Sequence, residues 1–409
     1  MSKFLIALAV AGCLGATSSS AQTFQDEGTA VGVQCAASSV NNVGEVVGTC
    51  VDSRGLHVPF YSTQPGVSVS FPLLVAGQSC GAGADNDAGE VVGECADAND
   101  VAQAVYWITG SGTVNPLAAL LGDVSSSASA INAQGAIVGV SSDGTDVDHP
   151  VLWAAGTSNA VLLPMGLLNL AGANCVTVDV QNGSGTQPVI IGNCPDGSGH
   201  NTPVIWTPTG LFQAYVPAVL SKPWGAVFCA AGTINDAGYV LGACDFGPSK
   251  GSRTAVWLTP TNTTLTPLVL NITDTSTGQT LRNDGIAINA KGEVVGQYQF
   301  VDGFSESYYW NVVNDQFQAI PPLPNGGTAA VSGISDTSVV IGVSETGPGT
   351  MEAFLWTTAG GALPIPFVTG GDNDGVTDIS RNGCYVAGAS EVSSLHNVHA
   401  TVAKLCTPS

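Results

Sequence analysis

The amino-acid sequence predicts an all-β protein, a β-propeller of about eight four-stranded blades, and an internal repeat is the main reason. A run that ends in Val-Val-Gly or a close relative recurs eight times, with 45 to 54 residues between copies. An aromatic residue, usually Trp, follows most of these glycines by about fourteen residues. Repeats of this length are typical of propellers and solenoids, because one unit buries too little surface to fold alone. The repeat glycines are Gly48, Gly93, Gly139, Gly192, Gly242, Gly296, Gly342 and Gly388.

Each repeat divides into four predicted strands, a to d. Strand a is apolar and ends in Ile-Asn or a similar pair, as at Ile234 and Asn235. A tight turn that ends in Gly, such as Asn-Asp-Ala-Gly at residues 235–238, leads into strand b, which is the β-branched Val-Val-Gly run. A longer polar loop precedes strand c with its aromatic residue. Strand d is a stretch rich in Leu or Pro, such as residues 267–270.

The two ends of the chain predict how the ring closes. The last repeat stops after strand c, whereas about a dozen residues precede the first strand a. We therefore expect an N-terminal strand, near residues 23–25 or 29–33, to supply the missing fourth strand and to remove an exposed sheet edge. The alternatives are an open solenoid and a seven-bladed ring with one displaced repeat.

Ten of the eleven cysteines form pairs whose spacing follows the repeat. In three pairs one Cys precedes the repeat glycine by thirteen residues and the other follows it by two. Repeats that lack one member also lack the other, which is the pattern that a bond would leave. Opposed residues of a hairpin lie within disulfide distance. The predicted disulfides are Cys35–Cys50, Cys80–Cys95, Cys175–Cys194, Cys229–Cys244 and Cys384–Cys406.

The N-terminus predicts export. Residues 1–21 read as a signal peptide, with Lys3 before a short apolar stretch and Ala21 at the cleavage site. A second interpretation is a lipobox-like cut that would place a lipid anchor on Cys13. The apolar stretch is too short to span a bilayer, and no later segment reaches that length. We expect a single repeat domain over residues 22–409, without a transmembrane segment, in a secreted, extracellular or periplasmic protein.

The charge balance restricts the partners. The chain has 31 acidic and 9 basic side chains and a net charge of −22. Nucleic acid is disfavoured, because its binding requires clustered Lys and Arg. Cations and basic surfaces are favoured.

The start of strand c carries a further motif. It reads His-Pro-Val-Leu-Trp from His149 and His-Ala-Thr from His399, and partial copies occur elsewhere. In these motifs the chain resembles the HAF-repeat family of bacterial extracellular proteins, whose repeat joins a Val-Val-Gly strand to a His-Ala-Phe-Leu-Trp strand. The resemblance covers nearly the whole of residues 22–409. It implies a fold and an extracellular location but no established activity.

Most residues that could carry chemistry recur at fixed repeat positions, which favours structural roles. Three of the five histidines open strand c, and six of the seven tryptophans lie later in that strand. Trp224 is the exception, and we expect it to pack over a neighbouring blade, with stacking on a ligand as the alternative. The pattern Gly-x-Ser-x-Gly occurs at residues 77–81 and 247–251, but both copies lie in predicted all-β repeats and not in the strand–turn–helix context of a nucleophile elbow. No His-Glu-x-x-His motif and no phosphate loop is present. The sequence therefore gives no catalytic residue.

Every loop between strands b and c carries an acidic residue, and the densest group is Asp143, Asp146 and Asp148. We interpret these carboxylates first as a solvated polar surface, and the alternative is a Ca²⁺ site, because the oxygens lie close enough in sequence to hold that ion. No other cofactor is expected. We therefore hypothesise an exported binding or scaffold module that meets an extracellular ligand, glycan or protein, on the face formed by the b–c loops and d–a connections. The alternative is an exported hydrolase or lyase, acting on polysaccharide in the central funnel, which rests on fold analogy alone.

Overall fold

The fold is an eight-bladed β-propeller, as predicted. The structure is a computed structural model that describes residues 24–27, 34–145, 147–165, 174–182, 187–209, 214–258, 266–366, 368, 373–391 and 397–406. Within these ranges thirty-two strands form eight four-stranded antiparallel sheets, and there is no helix. In seven blades the four strands pair in chain order as a simple meander, and in the eighth the last three strands of the chain form a sheet with the first one.

The first four blades each run from strand a to strand d in chain order. Blade 1 comprises β2 (Gln34–Val40), β3 (Val46–Val51), β4 (His57–Ser62) and β5 (Ser68–Ser70). Blade 2 comprises β6 (Cys80–Asp85), β7 (Glu90–Ala96), β8 (Ala102–Ile108) and β9 (Val114–Pro116). Blade 3 comprises β10 (Ser125–Ile131), β11 (Ile137–Ser142), β12 (Asp148–Trp153) and β13 (Ala160–Leu162). Blade 4 comprises β14 (Val176–Val180), β15 (Ile190–Pro195), β16 (Asn201–Pro208) and β17 (Tyr215–Val219).

Blades 5 to 7 repeat this order, and blade 8 takes its fourth strand from the N-terminus. Blade 5 comprises β18 (Phe228–Ile234), β19 (Tyr239–Asp245), β20 (Ser252–Leu258) and β21 (Leu268–Val269). Blade 6 comprises β22 (Arg282–Ile288), β23 (Glu293–Gln299), β24 (Ser305–Asn311) and β25 (Gln316–Ile320). Blade 7 comprises β26 (Ala329–Ile334), β27 (Val340–Gly347), β28 (Thr350–Thr357) and β29 (Gly361–Pro364). Blade 8 comprises β30 (Asn373–Ile379), β31 (Tyr385–Glu391), β32 (Val398–Lys404) and β1 (Gln25–Asp26).

The N-terminal strand closes the ring. β1 pairs antiparallel with β32, with Gln25 opposite Val402. This confirms closure and the strand predicted near residues 23–25, and both alternative architectures are wrong; residues 29–33 and the predicted signal peptide lie outside the described residues. The same segment contacts two further blades, since Phe24 N–H donates to the Pro366 carbonyl at 3.3 Å and the buried Glu27 carboxylate accepts a hydrogen bond from Ser62 Oγ.

The strand directions define two faces of the ring. The a–b turns and c–d connections lie at one end of every blade, which we call the turn face. The b–c loops and d–a connections lie at the other end, which we call the loop face. The eight a strands line the central channel between the two faces.

The repeat glycine is required by a close backbone approach. Strand a of every blade has a β-bulge directly after the residue that pairs with this glycine. A Cβ at any of the eight glycines would lie 1.9 to 2.4 Å from a strand-a carbonyl oxygen. In several blades the aromatic ring of strand c packs on the other side, as Trp153 does 2.9 Å from a Cβ at Gly139. The glycine of the Val-Val-Gly signature is therefore required because the backbones of strands a and b leave no room for a Cβ, and not because of a turn.

The recurrent tryptophans form the core and join neighbouring blades. All six are at most 2% exposed, as predicted for blade core. Four indole N–H groups donate to a backbone carbonyl in the d–a connection of the preceding blade, at 2.8 to 2.9 Å. A buried indole thus satisfies its donor while covering the neighbouring sheet. These four pairs are Trp107 with Pro72, Trp153 with Ala118, Trp206 with Pro164 and Trp257 with Ser221.

All five predicted disulfides are present, and each lies within one blade. Three join residues directly opposed on strands a and b, with Cα atoms 4.0 Å apart. Cys175–Cys194 joins the same strands in blade 4, and Cys384–Cys406 joins strands b and c of blade 8 at their ends. Disulfides are typical of proteins from oxidising compartments. In the part of the chain that the structure describes, no helix is long and apolar enough to cross a membrane.

We predict that Gly242→Ala destabilises the protein strongly. Its Cβ would lie 2.0 Å from the Ala230 carbonyl oxygen, and overpacking of this kind costs roughly 1–3 kcal/mol. The matched control is Gly232→Ala in the same blade, where the nearest atom to the new Cβ lies at 3.5 Å. Urea unfolding measures both free energies; equal values for the two variants would contradict the packing limit.

We predict that deletion of Phe24 to Glu27 lowers the melting temperature of the whole ring. Blade 8 would lose its fourth strand, and β32 would become an exposed edge. Gln25→Thr is the control, because this exposed side chain can change while the backbone pairing with β32 stays. Thermal unfolding and light scattering compare the two, and an unchanged melting temperature in the deletion would show that closure contributes nothing.

Candidate functional site

The candidate site is a cavity of about 530 Å³ at the turn-face end of the central channel. Seven of the eight blades contribute to its wall, which places it on the ring axis, and we call it the turn-face cavity. Its volume lies in the range of small-molecule sites. The lining consists of the ends of strand a and the first residues of the a–b turns, which are Ser39, Val40, Asn41, Asn42, Asp85, Asn86, Asp87, Ile131, Ala133, Asn182, Asp236, Asp336, Thr337, Asp378, Ile379, Arg381 and Asn382.

The wall of this cavity is held by hydrogen bonds between successive turns. Asn41 is buried, and its Oδ1 accepts the backbone N–H groups of Val43 and Glu45, which fixes its own turn. Its Nδ2 donates to the Asn86 carbonyl of the next blade at 3.1 Å. The side chain thus shapes one turn and binds the next.

The same relay runs around the ring. Side-chain amides bridge seven of the eight blade junctions, and at the remaining junction Asp336 N–H donates to the Arg381 carbonyl at 2.8 Å. The relay fixes the relative position of all eight turns, so that the cavity has a rigid wall. The amide bonds run from Asn41 to Asn86, Asn86 to Asn132, Asn132 to Gln181, Gln181 to Asp236, Asn235 to Asn289, Asn289 to Ser335 and Asn382 to Asn42.

The cavity is strongly acidic. Among the described residues, five lining carboxylates, Asp85, Asp87, Asp236, Asp336 and Asp378, face a single lining cation, Arg381. Arg381 extends from blade 8 to blade 5, where its Nη1 donates to Asp236 Oδ2 at 2.6 Å. Partial desolvation disfavours the guanidinium charge, yet the hydrogen bond and charge of Asp236, with further carboxylates nearby, raise the pKa of Arg381 above its ordinary value.

Most of these carboxylates are committed to the protein. Asp87 accepts hydrogen bonds from both the backbone N–H and the side-chain amide of Asn42, at 2.8 Å each. Asp336 Oδ1 accepts the Ala290 N–H at 2.7 Å. Asp378 uses Oδ2 for the Val40 N–H and Oδ1 for the N–H of Ile379, both at 2.9 Å. These carboxylates therefore act in the contacts between blades.

Asp85 differs from the others. Its Oδ1 lies 2.5 Å from Ser39 Oγ, whereas its Oδ2 is buried and has no hydrogen-bond partner among the described residues. Ser39 Oγ also lies 3.1 Å from Asp378 Oδ2, and one hydroxyl proton cannot serve both carboxylates. Burial and then the negative charges of Asp378, Glu45 and Asp87, opposed by the Ser39 hydrogen bond, raise the pKa of Asp85 to about 7.

The sequence carries a signal for Asp85, although Asp85 is absent from the residues predicted above. The residue directly before the turn is apolar in seven blades, where its side chain packs between sheets. In blade 2 the same position is Asp85, so the column of apolar residues is broken once. The apolar equivalents are Val40, Ile131, Val180, Ile234, Ile288, Ile334 and Ile379.

On the loop face, the recurrent acidic residues have a structural role. Asp97, for example, accepts the N–H groups of Asn99 and Val101 at 2.7 and 3.0 Å, which closes the b–c loop. These backbone hydrogen bonds lower the pKa of the Asp97 carboxyl. Asp52, Asp143 and Asp196 make the same pair of contacts with the N–H groups two and four residues on.

The three carboxylates of the predicted Ca²⁺ site are not brought together by any described contact. Asp143 is bonded to the Thr145 N–H and hydroxyl, and Asp148 accepts a hydrogen bond from Ser142 Oγ. Asp146 lies outside the described residues. Within the ranges that the structure describes, no three His, Cys, Asp or Glu side chains converge as a metal site. Binding of Ca²⁺ at this loop stays a prediction.

Two histidines and Trp224, which the sequence analysis discussed, have different environments in the structure. His149 Nδ1 lies 2.9 Å from Asp123 Oδ2, and His399 Nδ1 lies 2.8 Å from Asp26 Oδ2, so these two strand-c histidines fasten strand ends, as predicted. Trp224 is 97% exposed in its d–a connection, and the prediction that it packs over a neighbouring blade is wrong. The Pro-Trp-Gly turn instead directs the indole of Trp224 into solvent.

Comparisons with known proteins agree on the fold. No family model matches the chain, and no curated protein matches it. A chain from a structural study of two prolyl endopeptidases is 13% identical, with a TM-score of 0.51, over 79% of this chain and 50% of that one. The chain thus spans about half the length of that structure, and at this identity the likeness shows the fold alone.

Two further solved structures are similar over most of this chain. The β-propeller domain of the trilobed protease from Pyrococcus furiosus is 10% identical, with a TM-score of 0.48, over 85% of this chain and 97% of that one. An ulvan lyase, a polysaccharide lyase, is 9% identical, with a TM-score of 0.45, over 85% of this chain and 96% of that one.

We predict that Asn132→Asp weakens the ring although it preserves the turn. Aspartate keeps the oxygen that accepts the Gln134 and Ala136 N–H groups but removes the donor to the Gln181 carbonyl. An unsatisfied buried carbonyl costs roughly 1–3 kcal/mol. Gln134→Glu is the control, because it adds the same charge to the exposed part of the turn. Chemical denaturation should separate the two variants; equal stability would contradict the relay.

Proposed function

We propose that the protein is an exported binding module whose ligand enters the turn-face cavity. The observation that carries the proposal is the unpartnered, buried Asp85 Oδ2 in a rigid cavity with five carboxylates and one cation. Buried polar groups without a partner are uncommon in folded proteins, and a bound ligand is one way in which they are satisfied. The polar lining favours a small polar ligand, or a side chain of a partner, that donates hydrogen bonds.

Binding is favoured over the alternative of a polysaccharide hydrolase or lyase. The cavity does hold two neighbouring carboxyl groups, Asp85 and Asp378, as glycoside hydrolases require. Asp378, however, is fixed by two backbone N–H groups and has a structural role between blades 8 and 1. Among the described lining residues there is no His and no Tyr that could act as an additional acid or base.

The loop face is the second candidate surface. Two large apolar side chains in its d–a connections, Trp224 and Leu121, are almost completely exposed, at 97% and 106%. Exposed aromatic residues on loops are common in recognition surfaces. The acidic residues of this face, which first suggested it, close their own loops and therefore give it less support.

The proposal also includes export from the cytoplasm and the type of repeat. The five disulfides support residence in an oxidising compartment, extracellular or periplasmic, and a signal peptide over residues 1–21 would supply the route. We further propose that the blades are HAF-type repeats, on the strength of the motifs in strands b and c.

We predict that filling the turn-face cavity abolishes ligand binding. Ala133 lines the cavity with an exposed side chain, so Ala133→Trp should obstruct it without removing a carboxylate. Val43→Trp is the control, because Val43 is 66% exposed on the same face and does not line the cavity. The test is a thermal-shift and array screen of amines, basic peptides and neutral and acidic glycans. Ligands that Ala133→Trp loses and Val43→Trp keeps support the proposal; ligands lost only in Trp224→Ala would assign binding to the loop face.

A further inference from the structure

We infer that Asp85 forms a subsite for a protonated primary amine, which its Oδ2 accepts as a hydrogen-bonded ion pair. The inference rests on the proposed function and names the ligand class for the same cavity. Three features of the site support it, namely the hydrogen-bond geometry around Asp85, the charge of the wall and the acceptors that the described residues provide.

The position of Asp85 provides an acceptor that the fold itself does not use. Asp85 is the last residue of β6 and lines the turn-face cavity. Oδ1 is held by Ser39 Oγ, so the carboxyl group has a fixed orientation, while Oδ2 is buried without a partner among the described residues. Leaving such an atom unpaired costs about 1–3 kcal/mol. A ligand that donates to Oδ2 recovers that cost.

The charge of the surroundings selects a cation. Negative charges from Asp378, Glu45 and Asp87 act on Asp85, and Glu90 opens the paired strand β7. Arg381, the one cation among the described lining residues, donates a hydrogen bond to Asp236 across the channel. On the strands packed against β6, His57 and Glu94 lie toward the loop-face ends. A neutral hydroxyl could donate to Oδ2 but would leave this negative charge uncompensated.

An ammonium group fits better than a metal ion. Within the described residues no three acidic or imidazole side chains converge, as a divalent cation would require. An ammonium group needs one carboxylate and two further acceptors, because it has three N–H donors. Other carboxylates that line the cavity, such as Asp236 and Asp336, are further acceptors for such a group. Arg381 already shows that the wall of this cavity holds an organic cation of the chain itself.

A binding step of this kind is coupled to a proton. Asp85 binds an ammonium ion only as a carboxylate, and burial raises its pKa to about 7 in the free protein. Below that pH, the amine must displace one proton from the carboxyl group. Affinity therefore rises about tenfold per pH unit up to about pH 7 and then levels off, since one proton is released per amine bound.

The experiment uses Nα-acetyl-lysine methylamide as the probe and its Nε-acetyl derivative as the uncharged control. Calorimetry between pH 5.5 and 8.5, in two buffers of different ionisation enthalpy, gives the affinity and the number of protons released. We expect the wild type to bind the probe, to bind the acetyl derivative at least tenfold more weakly, and to release close to one proton at pH 6. Asp85→Asn should lose at least tenfold in affinity and its dependence on pH.

Two further variants keep the test decisive. Asp85→Val restores the residue type found in the other blades, so it should fold and should not bind the probe. Asp302→Asn on the loop face changes the net charge equally and should bind as the wild type does. Absence of binding to the wild type, or equal affinities for wild type and Asp85→Asn, would overturn the ammonium subsite. Other ligands lost in Ala133→Trp but kept in Asp85→Asn would leave the proposed function standing while this inference fails.

Discussion

The structure depends on hydrogen bonds that pass from one a–b turn to the next around the channel. A propeller blade is a small sheet, and its neighbours must hold it at a fixed angle. Buried Asn side chains do this at the channel end, because one side-chain oxygen shapes a turn and the amide nitrogen binds the following blade. The tryptophan indoles repeat the principle farther out, between strand c and the preceding connection. In both cases a single side chain lies in one blade and also forms a hydrogen bond to the neighbouring blade.

The position of an acidic residue in the propeller also determines whether the pKa of its carboxyl is lowered or raised. A loop-face residue such as Asp97 is partly exposed and accepts hydrogen bonds from backbone N–H groups, which lower the pKa of its carboxyl. Near the channel, Asp179 and Asp378 are buried, and desolvation raises the pKa of both carboxyls despite hydrogen bonds to the next blade. Net charge alone does not distinguish these environments. The candidate site lies where a buried carboxylate oxygen has no hydrogen-bond donor among the described residues.

Much of the fold could be predicted from the sequence because its determinants are local or periodic. The Val-Val-Gly run, the turn and the cysteine spacing lie within one hairpin, so the register of strands a and b follows from counting residues. The closing strand could be predicted because the last repeat lacks strand d. The relay could not, since it joins residues such as Asn41 and Asn86 whose contact exists only when two blades are stacked.

The site was predicted less well, for a physical reason. Loop residues vary between repeats and attract attention, whereas the cavity is lined by positions that look structural in every repeat. Asp85 is visible as a break in an apolar column, but its meaning depends on Ser39 and Asp378 from two other blades. The burial of Trp107 and its equivalents could be predicted because these residues recur at one repeat position. The exposure of Trp224 could not be predicted, because this residue occurs once and matches no repeat position.

The most direct test of the unfilled acceptor is a carboxyl-carbon NMR titration of Asp85, assigned by comparison with Asp85→Asn. We expect a pKa of about 7 in the free protein and a clear decrease in that pKa when the lysine probe is added. An ordinary aspartate pKa near 4, unchanged by the amine, would contradict the amine subsite. That result would mean that the carboxyl is solvated and that the turn-face cavity holds no unfilled acceptor.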